Sequence, residues 1–147
     1  EKWTKSMVKL QSHTATHPTS FVQYACARAM DRREESMAAV GGMLAEYQKR
    51  RNWLIPALQG IEGFKVAEPE GAFYAFIDVR GLYGDKFKTS ADVADAFLNE
   101  AHTVLTDGAG FGAEGFLRLS YATSMENLHK AVERMKNLLE KSSAQSV

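Results

Sequence analysis

The hydrophobic period of this chain changes at Gly60, and that change restricts it to folds that join helices to a small sheet. Before Gly60, Met37, Val40, Leu44, Tyr47, Leu54 and Leu58 recur at helical spacing and form one stripe of a long helix starting near Arg32. After it, Phe64-Lys65-Val66 and the run Ala72 to Val79 are rich in β formers. Between them lies Ala67-Glu68-Pro69-Glu70-Gly71, a turn by composition, so the pair predicts an antiparallel hairpin.

The flanking segments extend the pattern. Lys2 to Leu10 carries Trp3, Met7, Val8 and Leu10 among lysines and predicts the tail of an amphipathic helix. Gln11 to His17 is polar and rich in hydroxyls and reads as a loop or short strand. Pro18 then suits the first position of a helix running to about Met30, since its missing N–H costs nothing there. In the long helix, Gly41-Gly42 weakens the structure by about 1 kcal/mol per glycine, leaving open a break into two helices. Pro56 is expected to kink or end it.

Downstream, Thr89-Ser90-x-Asp92 caps a helix whose apolar face is Val93, Ala94, Phe97, Leu98 and Ala101. Thr103 to Thr106 reads as a short strand, and Asp107 to Gly115 as a glycine-rich loop. Phe116 to Tyr121 is a strand, and Thr123-x-x-Glu126 a capping box for a last helix. That helix presents Leu128, Ala131, Val132, Met135, Leu138 and Leu139, with a Glu126–Lys130 pair on its surface. The tail from Ser142 is expected to fray. The order predicts an α/β fold of α+β type: a small mixed sheet with helices packed on one face, plus a long N-terminal linking helix.

The chemistry is sparse. Lys plus Arg equals Asp plus Glu at 18 each, which gives no support for a nucleic-acid or anionic-membrane partner. No apolar run is long enough to span a membrane. Cys26 is the single cysteine, and a reducing cytoplasmic setting is the simplest expectation. His13 and His17 are four apart but lie in a non-helical stretch with no third ligand, so no metal site is expected. His102 and His129 are expected on helices. Gly110-x-Gly112-x-x-Gly115 matches a dinucleotide fingerprint in letters only, because a strand and not a helix follows it. Phe73, Tyr74 and Phe76 form an aromatic run, and aromatics in a strand are more often core than pocket.

One residue stands out. With alternating faces, Phe116, Arg118 and Ser120 share one side of their strand, and Leu117, Leu119 and Tyr121 the other. The planar fork of Arg118 suits a carboxylate, which it can grip with two parallel hydrogen bonds. The plainer alternative is that Arg118 pairs with a structural Asp or Glu or reaches solvent, and the residue pattern alone points to that one.

Three stretches taken in order resemble the C-terminal part of class I aminotransferases, the aspartate aminotransferase family of pyridoxal phosphate enzymes (fold type I). They are Gln11-Ser12-His13-Thr14-Ala15-Thr16-His17-Pro18-Thr19-Ser20, Glu70-Gly71-Ala72-Phe73-Tyr74-Ala75-Phe76, and Phe116-Leu117-Arg118-Leu119-Ser120-Tyr121-Ala122 with Thr123-Ser124-Met125-Glu126. The resemblance implies that Arg118 grips the substrate α-carboxylate, with Phe73, Tyr74 and the Gly108 to Gly112 loop near the substrate mouth. It implies residues 1–30 as a remnant of the large cofactor-binding domain and 31–147 as the C-terminal small domain. The partners it implies are an amino acid and a 2-oxo acid, with aspartate and 2-oxoglutarate the leading pair, and a second subunit in a homodimer.

In the family the lysine that bonds the cofactor and the aspartate that holds its pyridine nitrogen lie upstream of Gln11. No catalytic residue is therefore expected in this chain, and Lys2, Lys5 and Lys9 lie past that point in the family order. The chain begins Glu1-Lys2-Trp3 without Met and reads as part of something longer, inactive by itself. Two departures bear on the site: His17 stands where Asn is common, and Asp107-Gly108 where Pro-Gly is frequent. The alternative is a stand-alone regulatory or interaction domain that kept the fold without catalysis.

Overall fold

A computed structural model describes residues 1–144. It separates into two compact units, Glu1–Leu44 and the part from Ala45 onward. The first unit holds α1 (Lys2–Thr14), α2 (Ser20–Asp31) and the beginning of α3 (Arg33–Gln59). Gln11 to Thr14 is helical, against the loop or strand expected from its hydroxyls. Those hydroxyls fold back onto the helix: Ser12 Oγ donates to the Lys9 carbonyl at 2.8 Å and Thr14 Oγ1 to that of Leu10 at 3.1 Å. Pro18 lies outside α2, whose N-cap is Thr19. No residue of α1 or α2 is buried in this chain.

α3 is continuous through Gly41-Gly42 and through Pro56, which neither breaks nor ends it. Pro56 falls in the last turn, where a missing N–H removes a single hydrogen bond. Leu54 and Leu58, both 0% exposed, flank it, and their burial of about 1.5–3 kcal/mol each outweighs that loss. The predicted stripe is buried only toward its C-terminal end: Met37, Val40 and Leu44 are exposed.

The second unit contains β1 (Lys65–Val66), β2 (Tyr74–Asp78), α4 (Ser90–Asn99), β3 (Thr106–Asp107), β4 (Phe116–Ser120) and α5 (Met125–Ala144). The four strands form one sheet in the order β1-β2-β4-β3. The α/β fold with helices on one face is as expected. The sheet, however, is antiparallel at every pairing rather than mixed. The β1–β2 and β3–β4 hairpins set two of those directions, and β2 meets β4 antiparallel in the middle. The third strand is Thr106–Asp107 and not Thr103 to Thr106.

Alternation along β2 and β4 divides the sheet into two faces. Ala75, Ile77, Leu117 and Leu119 point into the core against Leu54 and Leu58 of α3, Val93 and Phe97 of α4, and Leu128, Val132 and Met135 of α5. Phe64 meets Phe97 edge to face, with centroids 6.1 Å apart. Tyr74, Phe76, Phe116, Arg118 and Ser120 lie on the other face, away from α4, α5 and the C-terminal end of α3. The aromatic run from Phe73 to Phe76 is therefore not core, since the core positions of β2 are the smaller Ala75 and Ile77. Leu98 is also exposed, because the buried face of α4 is the narrower set Ser90, Val93, Ala96 and Phe97.

The Thr89–Asp92 capping box forms as predicted. At α5 the cap is one residue later than expected: Ser124 Oγ, not Thr123, accepts the backbone N–H of Asn127 at 3.2 Å. Thr123 Oγ1 instead accepts the Asn127 side-chain amide at 3.0 Å. Lys130 pairs with Glu126 at 2.6 Å, as the spacing predicted. Ser124→Ala is expected to cost about 1 kcal/mol in urea unfolding, and Thr123→Ala under about 0.5 kcal/mol. The reverse order would put the cap back at Thr123.

α5 extends to Ala144, and the rest of the tail expected to fray lies outside the described residues. His102 is not helical but follows α4 at φ 49°. His129 is on α5, its ring stacked 3.9 Å from that of Trp53. No helix among the described residues is long and apolar enough to cross a membrane.

Candidate functional site

Two arginines lie at the face of the sheet away from α4 and α5, and their surroundings differ. Arg80 sits over the Phe116 ring, its Cζ 5.2 Å from the centroid. It is already committed: its Nε donates to Asp78 Oδ1 at 3.0 Å and its Nη2 to Oδ2 at 2.7 Å, a bidentate pair. That hydrogen bonding from Arg80 holds the Asp78 carboxyl below its usual range.

Arg118 is half-buried in the middle of β4, opposite Phe76 on one side and Thr106 on the other. Its Cζ lies 4.6 Å from the Tyr74 centroid and 4.3 Å from that of Phe111. Two rings flank the guanidinium, a cation–π arrangement worth about 0.5–1 kcal/mol per contact at exposed sites and more when water is excluded. Among the described residues no carboxylate pairs with Arg118 and no acceptor takes its N–H groups. The structural Asp or Glu, one branch of the plainer expectation, is not among them; the other branch, reach to solvent, stands, since Arg118 is only half-buried. The result is a positioned fork with donors to spare.

The predicted site residues sort into contacts and supports. Tyr74 touches the guanidinium. Phe73 does not; it packs 4.6 Å from the Tyr74 ring and stacks on Tyr47 at 5.7 Å. Its carbonyl accepts the Tyr121 N–H at 2.9 Å, which ties the start of β2 to the end of β4. Gly108 is buried and also stands back from Arg118. It opens the 3-10 turn Gly108–Phe111, where a Cβ would lie 2.7 Å from the Phe116 carbonyl oxygen and collide with that of Ala113. Its lack of a side chain lets the turn close tightly enough to bring Phe111 over Arg118. As predicted, the glycine-rich loop runs into a strand and not a helix.

Phe111 falls within the predicted Gly108 to Gly112 loop but was not singled out, although a large ring among glycines is itself a signal. A buried serine was missed as well: Ser90, 0% exposed at the first turn of α4, donates from Oγ to Asp107 Oδ1 at 2.7 Å. Nothing in its local pattern marks it. Asp107 also accepts the Ala109 N–H at 3.3 Å, so in place of the frequent proline it caps the turn. His17 lies in the first unit, where its Nδ1 contacts the Pro18 carbonyl at 2.8 Å. Lys2, Lys5 and Lys9 are exposed, and Lys5 pairs with Glu1 at 3.0 Å.

An arginine fork on an antiparallel sheet, its guanidinium against two aromatic rings, is a geometry that suits a carboxylate. The family model for aminotransferase class I and II matches residues 1–135, and the chain belongs to that family. It is 38% identical over 137 residues to the aromatic-amino-acid aminotransferase 2 of Thermococcus litoralis, and 39% identical over 137 residues to the aspartate aminotransferase of Pyrococcus abyssi. Each match covers 92% of this chain and 34% of the relative, so the chain spans about a third of the length of these relatives. Among solved structures it is similar to the Thermus thermophilus aspartate aminotransferase with maleate, at TM-score 0.79 and 35% identity, covering 91% of this chain and 34% of that one.

Proposed function

We propose that this chain is the substrate-gripping part of a pyridoxal-phosphate-dependent aminotransferase that moves an amino group between an amino acid and a 2-oxo acid. The observation that carries the proposal is Arg118, set against Tyr74 and Phe111 with no carboxylate partner among the described residues. A substrate α-carboxylate would supply the missing partner, taking two parallel hydrogen bonds from the fork. The flanking rings exclude water from those bonds and so strengthen them. A carboxylate fixed in this way orients the Cα–H bond for proton removal. Pyridoxal phosphate, when bound, supplies the electron sink. Its contacts are assigned to the parts of the whole protein that lie outside this chain.

Residues 1–30 are assigned to the large domain and 31–147 to the small one, with the chain by itself inactive. Homology to aspartate aminotransferases, one of them solved with maleate, supports aspartate and 2-oxoglutarate as the substrate pair. A second reading, an aromatic amino acid, is favoured by the rings of Tyr74, Phe111 and Phe73 around the clamp. The proposal includes a homodimer and a cytoplasmic setting. The test is an amino-transfer assay of the whole protein with pyridoxal phosphate and 2-oxoglutarate, offering aspartate or phenylalanine as donor. Turnover with aspartate at the higher kcat/KM is expected. Preference for phenylalanine would select the second reading, and no turnover with any amino acid would defeat both.

A further inference from the structure

The loop that brings Phe111 to Arg118 contains Gly108, Gly110 and Gly112 and is followed by Gly115, so its backbone has little stiffness of its own. Within it, the Gly112 N–H donates to the Ala109 carbonyl and the Ala113 N–H to that of Gly108, each at 3.0 Å, which closes the turn; bonds to α4 fix where that turn sits. Ser90 Oγ donates to Asp107 Oδ1 at 2.7 Å and accepts the Gly115 N–H at 3.0 Å. One buried hydroxyl thus ties the first and last residues of the loop to the start of α4. The backbone N–H of Ser90, which no residue of α4 can accept, donates to Glu114 Oε1 at 3.1 Å. The same oxygen accepts the Tyr83 hydroxyl at 2.6 Å. The carboxylate of Glu114 therefore sits at the positive end of α4, a favourable place for an anion. Tyr83 and Ser90 hold its carboxyl below the usual range.

We infer that Ser90, with Glu114 and Tyr83 as its braces, is a positioning residue for substrate binding: it fixes the Asp107–Gly115 loop so that Phe111 closes one side of the Arg118 guanidinium. The inference rests on the reading of Arg118 as the carboxylate clamp. Ser90 touches neither Arg118 nor the substrate; it acts through Asp107, the turn and Phe111. Without it, Phe111 leaves the guanidinium, the fork samples more rotamers, and its ordering must be supplied by each substrate on binding.

Two measurements test this. In hydrogen exchange on the whole enzyme, Ser90→Ala and the surface variant Glu114→Ala are each expected to speed exchange of the amides from Ala109 to Gly115 by about 10-fold, the equivalent of one lost hydrogen bond, with Leu117 and Leu119 unchanged. Glu114→Gln keeps an acceptor oxygen and is expected to retain most of the protection. In the whole enzyme, Ser90→Ala and Glu114→Ala are expected to raise KM for the amino acid by about 3- to 10-fold, with kcat within about twofold. Unchanged exchange in both alanine variants overturns the inference, as does faster exchange with unchanged KM. Either result leaves the clamp itself standing. Unchanged kinetics in an Arg118 variant is a different failure: it removes the clamp reading, and the inference falls with it.

Discussion

Arg118→Ala in the whole enzyme is expected to lower kcat/KM by roughly 30- to 1,000-fold while cofactor binding stays intact. The range corresponds to about 2–4 kcal/mol, the cost of removing one side of a hydrogen-bonded charge pair. The substitution leaves the fold largely alone, because Arg118 lies on the face away from the core and makes no hydrogen bond whose loss would strand a partner. What remains is a carboxylate with no fork to receive it. Arg118→Lys separates charge from geometry. It retains the cation but not the two parallel donors, and recovery of only a small part of the activity is expected. Steady-state kinetics with the amino acid and the 2-oxo acid measured separately provide the readout. Wild-type kinetics in Arg118→Ala would make the residue structural.

The second large effect is on stability. Phe97→Ala is expected to cost about 3–5 kcal/mol in denaturant unfolding. The ring is 0% exposed, meets Phe64 edge to face, and belongs to the cluster that joins α4 to the sheet. Marginal stability of about 5–15 kcal/mol leaves little reserve against such a loss. Leu98→Ala, one position along the same helix, is expected to change stability by under about 0.5 kcal/mol, because Leu98 is 47% exposed. A loss below about 1 kcal/mol at Phe97, or equal effects at the two positions, would contradict the assignment of the buried face.

The same pair shows where the sequence was legible. Both are apolar residues at helical spacing, and periodicity placed both on the packing face; only the sheet's actual position tells them apart. β4 was easier. Leu117 and Leu119 alternate with Phe116, Arg118 and Ser120, and a half-buried strand writes that alternation directly into its residues. The Thr89–Asp92 box was equally clear, because its partners are three residues apart. The cap of α5 was ambiguous, since Thr123 and Ser124 are adjacent and both can accept a hydrogen bond.

The Ser90 network was not legible. Its members lie 17, 24 and 25 residues from Ser90, and no local period links a serine to a distant carboxylate and a glycine amide. Arg118 falls between these cases. Its strand and face were readable, but the absence of an acidic partner is a property of the folded neighbourhood, where Asp78 pairs with Arg80 instead.

The strand order β1-β2-β4-β3 has one more effect. It puts the two longest strands, of five residues each, in the interior of the sheet, and leaves two-residue strands at both margins. A margin that short exposes few free backbone groups, so it is a poor template for a foreign strand to zip onto. A margin of this kind works against edge-to-edge aggregation. Recognition is directed to side chains on the face that carries Arg118, while main-chain pairing at the rim is discouraged.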